Sequence, residues 1–295
     1  HTLENSQFQS GVYYGTSLFD PTSKELTEGT TPDSTKLESK DITVSLKQYG
    51  DRTEITDVVQ DTHEDPVLQE AVDVLGEQAS VVMEKMRFNK LVAGTNVVYA
   101  NGSARTDVNE PISITVQRRA TRQLKRNLGK PITKVLRSTP SYATYSVAPS
   151  FVALCHPDLE ADVRALSGFS PVEQYGSYTP YEGEIGKVED VRYVSTTIFE
   201  AWAGAGGTFD AGSITAISTT GTNADVYPIL YLARDAFAVV PLKGKSSLTP
   251  MVVNPKPSDS DPLAQRGHVG WKAWNGCVIL NDQWMVRGEV AVTEL

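Results

Sequence analysis

The segment from Asp65 to Gly94 is the longest part of the chain with a single hydrophobic period, and it constrains the fold most. Apolar residues alternate at spacings of four and three, which predicts one face of a helix; they are Leu68, Val72, Leu75, Ala79, Val82 and Met86. A second series recurs every seven residues and widens this stripe: Val67, Val74, Val81 and Phe88. Asp65 and Pro66 suit a helix start, and Gly94 suits a left-handed C-cap. At ~1.5 Å per residue the helix is about 40 Å long. Gly76 in its middle predicts a bend or a close contact.

Composition and charge set the broad class of the protein. The chain has 295 residues, of which 40% are hydrophobic and 21% charged, as in an ordinary globular protein with a sizeable core. No apolar run approaches the ~20 residues of a membrane-spanning helix. A net charge of −9 disfavours bulk electrostatic binding of nucleic acid. Cys155 and Cys277 lie in apolar settings, which predicts buried, reduced thiols.

Residues 1–40 differ in composition from the rest of the chain. They are rich in Ser, Thr, Gly and Glu and contain few aliphatic residues. Such a segment cannot bury enough apolar surface to offset its own ordering entropy. Two readings stay open: the segment is disordered, or it is ordered by packing on a neighbouring chain.

The remaining chain mixes strand and helix patterns without repeating βαβ units, which indicates an α+β protein. Strand patterns are predicted at 42–46, after 96, in 183–199, twice in 227–242 and twice in 270–292, the last two joined at Asn281-Asp282. A turn or bulge is predicted at Tyr49-Gly50-Asp51, and a buried strand followed by a short helix at 150–166. Residues 203–225 are rich in Gly, Ala, Ser and Thr and predict a long surface insertion.

A second helix is predicted from Ser113 to Leu128, ended by Gly129 and Pro131. Its polar side is strongly basic, with Arg118, Arg119, Arg122, Lys125 and Arg126. This is the one basic patch that the pattern shows in an acidic protein. The first reading is a solvated face or a salt-bridged subunit contact. The alternative is a contact with nucleic acid.

No assembled catalytic or metal-binding motif is found. Gly244-Lys245-Ser246 ends like a phosphate-binding loop, but Val239 occupies the position of the first required glycine. His63-Glu64-Asp65 lies at a predicted helix start, where acids are expected for the helix dipole, so we expect no metal there. His156 precedes a helix start, which favours a local cap over a general base. We expect no catalytic residue, metal or cofactor; a hydrolase using carboxylates or His156 stays the alternative.

Three segments carry a resemblance to a known family. They are ELTEGTTPDSTKLESKDITVSLKQYGDRTEITDVV (25–59), VALCHPDLEADVR (152–164) and DPLAQRGHVGWKAWNGCVILNDQWMVRGEVA (261–291). Together with the long helix, they resemble the tailed-phage major capsid proteins of the Hong Kong 97-type fold, in the branch with the "QYGD" turn. The resemblance covers most of residues 20–295. It implies a shell protein and not an enzyme.

The resemblance also implies a domain layout and partners. Residues 1–50 would be an extended loop and N-terminal remnant, and 51–108 a peripheral domain containing the spine helix 65–94. Residues 109–235 would be the axial domain and 236–295 the closing strands of the peripheral domain.

The protein would assemble with itself as hexamers and pentamers, in a virion capsid formed in the host cytoplasm. Packaged double-stranded DNA would lie non-specifically on the inner face, and decoration or scaffold proteins are further expected partners. No membrane is expected. An encapsulin-type nanocompartment shell has the same fold and is a further alternative.

The resemblance places inter-subunit contacts in the extended loop and on the basic helix. The residues expected there are Lys24, Glu25, Lys36, the neighbouring Leu37–Glu38 pair, Arg118, Arg119 and Arg122.

Overall fold

The computed structural model describes residues 2–3, 25–31, 42–62, 67–136, 144–175, 180–208, 216–241, 248–257 and 261–294. The chain divides into two compact units. The first, here the helix–sheet unit, contains Thr43–Leu91 and Phe237–Val278 together with the first two residues. The second, here the large-sheet unit, contains Val92–Ala236 and Ile279–Leu295 together with Leu3–Ile42. The mixture of helices and sheets is the α+β class that the sequence predicts.

The secondary-structure elements follow in chain order. They are β1 (Thr2–Leu3), β2 (Ile42–Thr43), β3 (Lys47–Thr56), α1 (Asp57–Thr62), α2 (Val67–Val92), β4 (Val97–Tyr99), α3 (Ile114–Arg126), β5 (Ile132–Leu136), β6 (Thr144–Cys155), α4 (Glu160–Arg164), β7 (Phe169–Pro171), β8 (Glu184–Val188), β9 (Val191–Ser195), β10 (Tyr227–Leu232), β11 (Phe237–Pro241), β12 (Leu248–Val253), β13 (Arg266–Ile279) and β14 (Met285–Val290). Short 3-10 turns lie at Arg105–Asp107, Pro157–Leu159, Val172–Gln174 and Asp282–Trp284.

The helix–sheet unit packs α2 on a four-stranded sheet. The strand order is β11-β13-β12. Strand β3 also pairs with the long strand β13, along the edge opposite β12. Leu75 and Ala79 of α2 are buried in one cluster with Ile55, Val269 and Trp271 of the sheet. The predicted stripe at four- and three-residue spacing is therefore confirmed as the buried face of the helix.

The second predicted stripe on α2 is wrong in its middle. Val74 is 65% exposed and Val81 44% exposed, although Phe88 is buried. Each residue turns a helix by about 100°, so Val74 lies well to the side of Leu75 and away from the sheet.

Gly76 is exposed, and a Cβ at this position would have no atom within 4 Å. The predicted close contact at Gly76 is therefore absent.

The two ends of α2 test the predicted caps differently. Asp65 and Pro66 lie outside the described residues. The helix ends at Val92, but Gly94 is not among the glycines with positive φ, so the left-handed cap predicted there is wrong. The guanidinium of Arg287 instead donates hydrogen bonds to the carbonyl oxygens of Val92 and Gly94. A long-range arginine thus satisfies the helix-end carbonyls that a glycine cap would otherwise serve.

The predicted turn or bulge at Tyr49-Gly50-Asp51 is also wrong, because all three residues lie inside β3 and pair with β13 without a register shift. Gly50 stands opposite Lys272 of β13, and a Cβ at Gly50 would lie 2.7 Å from the carbonyl oxygen of Trp271. Glycine is needed here for the close approach of two strands, and not for a change of direction.

The large-sheet unit is built on an eight-stranded mixed sheet. Its order is β4-β14-β10-β6-β9-β8-β7, with β5 pairing β6. All six residues of β10 are buried, which fits a central strand. The strand-then-helix prediction for 150–166 is confirmed by β6 and α4, and the paired apolar runs in 227–242 are confirmed by β10 and β11. The two closing strands are confirmed on either side of Asn281-Asp282, but they belong to different sheets.

The segment 203–225 is only partly a surface insertion. Residues 209–215 lie outside the described part. Ala216 and Ala224 are buried, and so is Asp225. The Asp225 carboxylate accepts hydrogen bonds from the backbone N–H groups of Gly204 and Thr219 and from the Thr219 hydroxyl. The surface prediction is therefore wrong for these residues, since one buried carboxylate holds the two ends of the segment together.

Candidate assembly surfaces

The basic residues of helix α3 lie on its exposed side, because its other side is buried in the core of the large-sheet unit. The Ser113 side chain caps the helix by accepting from the Val116 N–H at 3.4 Å. Val116, Ala120 and Leu124 are buried on one side. The helix ends at Arg126, two residues before the predicted Leu128, and Leu128 adopts the left-handed conformation, with φ of 56°. The Gly129 N–H then donates to the Leu124 carbonyl, which closes the last turn.

Two of the basic residues on α3 form ion pairs within the large-sheet unit. Arg118 donates to Glu189, with 2.9 Å between Nε and Oε1, and Lys125 pairs with Asp190. Both acids lie in the turn between β8 and β9. The hydrogen bond to Glu189 raises the already high pKa of Arg118. Arg118 and Lys125 are therefore partly neutralised by their own chain.

The other three basic residues of α3 have no ion pair with any residue that the structure describes. Arg119, Arg122 and Arg126 are exposed, and among the residues that the structure describes no ion pair involves them. Three guanidinium groups on successive turns of one helix form a positive surface on a protein of net charge −9. We call Arg119, Arg122 and Arg126 the basic face.

Most of the predicted contact residues of the extended loop lie outside the described residues. Lys24, Lys36 and the Leu37–Glu38 pair lie outside the described residues. Glu25 is described, in the segment 25–31, all of which is exposed. Leu26 in this segment is 74% exposed, between Glu25 and Glu28. The structure thus places Arg118, Arg119 and Arg122 together on one helix and places Glu25 in the exposed segment.

Strand β12 is an exposed apolar surface that the sequence reading missed. All six of its residues are exposed, including Leu248, Met251, Val252 and Val253. In the described part of the chain β12 pairs only with β13, so its other edge carries unpaired backbone groups. Exposed apolar edges promote strand pairing between chains and are usually covered in the native state. The run LTPMVV was the available signal, but its exposure depends on the sheet order, which no local pattern shows.

The candidate histidine and cysteines have structural roles. The His156 Nδ1 accepts the Asp158 N–H at 3.2 Å, so the predicted local cap is confirmed. The Tyr227 hydroxyl donates to Asp158 at 2.7 Å beside it. Both cysteines are buried and free, as predicted. Burial raises the pKa of the Cys155 thiol to about 12 and also raises that of Cys277, which keeps both thiols protonated at neutral pH.

The described residues contain neither a candidate metal cluster nor a candidate membrane span. Across the described ranges, no group of three or more His, Cys, Asp or Glu side chains could hold a metal ion; His63 and Glu64 lie outside those ranges. No helix in the described part is long and apolar enough to cross a membrane.

Comparison of the fold with solved structures finds shell proteins. The capsid of Ralstonia phage GP4 matches with a TM-score of 0.66 and 12% identity, over 99% of this chain and 82% of that chain. The cyanophage Pam1 capsid matches with 0.57 and 14%, over 92% and 82%. The SrpI encapsulin complex from Synechococcus elongatus matches with 0.52 and 12%, over 87% and 78%. These likenesses establish the Hong Kong 97-type fold.

Sequence comparison gives the family. No curated protein sequence matches the chain. The family described as "Phage capsid protein" matches residues 39–287, which is most of the chain. The protein therefore belongs to the phage capsid protein family and is a structural major capsid protein, not an enzyme.

Proposed function

We propose that copies of this chain assemble, as hexamers and pentamers, into an icosahedral virion capsid that encloses double-stranded phage DNA. The observation that carries the proposal is the family match over residues 39–287, on a chain whose fold is that of capsid shells. Assembly would take place in the host cytoplasm, where scaffold or decoration proteins are further proposed partners. The finer assignment to the "QYGD" branch stays a prediction.

The domains of the proposed shell subunit follow the layout expected from the resemblance. Residues 51–108, with the spine helix α2, and residues 236–295 would form the peripheral domain. Residues 109–235 would form the axial domain around the capsomer centre. The loop from the start of the chain to about residue 50 would extend over a neighbouring subunit.

Contacts between subunits would use the loop and helix α3. In the loop we propose Lys24, Glu25, Lys36 and the Leu37–Glu38 pair. On the helix we propose Arg118, Arg119 and Arg122. The exposure of Arg119 and Arg122 without an ion partner in the described chain supports this, because two charged groups gain most where an acidic surface meets them. Contact with DNA on the inner face of the shell is the alternative role for helix α3.

The proposed function is tested by the contents of purified particles. The full chain, produced during infection or with its natural assembly partners, is expected to form closed shells whose DNA resists added nuclease. The likeness to the SrpI encapsulin makes a protein-filled compartment the second candidate. Shells that hold a defined protein and no nuclease-resistant DNA would favour that candidate and contradict the DNA container. Absence of shells under all conditions would contradict both.

A further inference from the structure

The side of the long helix α2 that faces away from the sheet carries two lines of exposed side chains along its first half. One line is acidic and consists of Glu70, Asp73 and Glu77, which are all exposed. The other line is aliphatic and consists of Val74 and Val81, which are 65% and 44% exposed. At about 100° per residue, the five side chains fall within about a third of the helix circumference. We call Glu70, Asp73 and Glu77 the acidic face.

The acidic face carries charge that the described part of its own chain does not neutralise. None of its three carboxylates forms an ion pair with a described residue, and Asp73 accepts one long hydrogen bond from the Gln69 amide at 3.4 Å. Residues three and four positions apart are neighbours on a helix, so these like charges repel one another. The helix dipole accounts for Glu70 in the first turn but not for Glu77, which lies beyond the reach of that effect.

The basic face of α3 has the same spacing with the opposite sign. Its three arginines follow one another at intervals of three and then four residues, and so do the three carboxylates of α2. At ~1.5 Å per residue, each set extends along about 10 Å of helix. The arginines also repel one another, and none has an ion pair in the described chain. Two sets of equal length and opposite charge can therefore pair three against three.

The two exposed valines beside the acidic face fit the same partner. Arginine side chains cover apolar surface with their methylene stems while the guanidinium group reaches a polar partner. Arginines laid across α2 can thus cover Val74 and Val81 as well as meet the carboxylates. Nucleic acid does not suit this side of α2, because its phosphates and the carboxylates repel each other.

We infer that the basic face of α3 in one copy of the chain docks on the acidic face of α2 in a second copy. The inference rests on the proposed function, because it names the surface that helix α3 meets in the assembled shell. Arg122 is the central residue of one face and Asp73 that of the other. This central pair meets whether the two helices run parallel or antiparallel.

The central pair provides a direct test. In the variant Asp73→Cys/Arg122→Cys, docking brings two exposed thiols together, and a short bismaleimide reagent joins them. The native Cys155 and Cys277 are buried and do not compete for the reagent. Treated particles of the full chain are expected to give dimers and larger multimers on a denaturing gel. The single variants Asp73→Cys and Arg122→Cys are the matched controls and are expected to give monomers.

The outcomes of the crosslinking separate the inference from the proposed function. Particles of the double variant that give no multimers, or no more than the single variants give, would overturn the inference and leave the proposed function standing. A crosslinked monomer without multimers would overturn the second copy as the occupant. Absence of shells from the unmodified chain, made with its natural assembly partners, would overturn the proposed function itself.

A charge exchange covers the case in which the cysteine variant does not assemble. Reversal of the basic face is expected to lower the yield of particles at least about tenfold, because like charges then meet at the contact. The variant is Arg119→Glu/Arg122→Glu/Arg126→Glu, and circular dichroism checks that it folds. A normal yield of particles would overturn the inference, and weaker DNA binding in those particles would assign the basic face to DNA.

Reversal of the acidic face in the same chain is expected to restore assembly, because opposite charges meet again. The added substitutions are Glu70→Arg/Asp73→Arg/Glu77→Arg. A matched control restores the same net charge at three exposed acids of the large-sheet unit, with Glu110→Arg/Glu173→Arg/Glu182→Arg, and is expected not to restore assembly. Failure of the first exchange, or equal restoration by the control, would overturn the contact.

Discussion

Glu289 on β14 is fully buried, and the guanidinium of Arg105 donates to both of its carboxylate oxygens at 2.8 Å. Arg287 donates a third hydrogen bond to the same carboxylate at 2.8 Å. The Arg105 guanidinium also lies 3.6 Å from the centroid of the Trp202 ring. A buried charge is thus satisfied by two arginines inside the large-sheet unit, and the pairing raises the pKa of Arg105.

Removing one partner from this cluster should destabilise the protein. We expect Arg105→Leu to lower the free energy of unfolding by about 3 kcal/mol, because a buried carboxylate loses its bidentate partner. Denaturant unfolding of unassembled protein measures the loss. The control Arg164→Leu breaks an exposed pair with Glu160 and should cost less than about 0.5 kcal/mol. Equal losses in the two variants would contradict the role assigned to Glu289.

Two glycines should respond to alanine in opposite directions. Gly50→Ala places a methyl group 2.7 Å from the Trp271 carbonyl oxygen, and we expect a loss of about 1–3 kcal/mol. Gly76→Ala meets nothing within 4 Å on an exposed helix face and should gain up to about 1 kcal/mol. Thermal unfolding of the two variants gives the signs. A stabilised Gly50→Ala would show that β3 and β13 do not approach as described.

Asp51 should give a pH-dependent contribution to stability. The Gln78 side chain donates to its carboxylate at 2.6 Å and the Arg52 N–H also donates, so the pKa of Asp51 lies below its usual value. A lowered folded-state pKa stabilises the fold above the unfolded pKa of ~3.9, and this contribution is lost as the pH falls through the folded pKa. Asp51→Asn should therefore be less stable than the parent at pH 6, with the difference vanishing in acid. Melting temperatures between pH 6 and pH 2.5 measure this, and a difference that grows on acidification would refute it.

The basic face should matter to assembly more than to folding. We expect Arg119→Glu/Arg122→Glu to change the free energy of unfolding by less than about 0.5 kcal/mol, because both side chains are exposed. Assembly yield, measured by sedimentation, should fall strongly. Normal shells with weaker, less salt-sensitive DNA binding would instead assign the face to DNA.

The sequence pattern predicts those elements that depend only on residues within one helix. The stripe through Leu75 and Ala79 depends on helical spacing alone, and Ser113 caps α3 within its own turn. The basic residues of α3 were therefore found, and their solvent-facing side could be expected from the buried side opposite.

Long-range contacts explain the predictions that failed. Arg287 is almost two hundred positions from Val92 in the sequence, so no local signal replaces the expected cap at Gly94 by this arginine. Glycine usually marks a turn, so the local pattern predicts one at Gly50, whereas the close approach of β13 is what requires glycine there. The exposure of strand β12 follows from its position at the edge of the sheet, and the local sequence does not predict the sheet order.

The most direct test of the central claim is electron cryomicroscopy of the purified full chain after assembly. We predict closed shells in which each subunit has the fold described here. A protein that stays a compact monomer at all concentrations and salt conditions would contradict it.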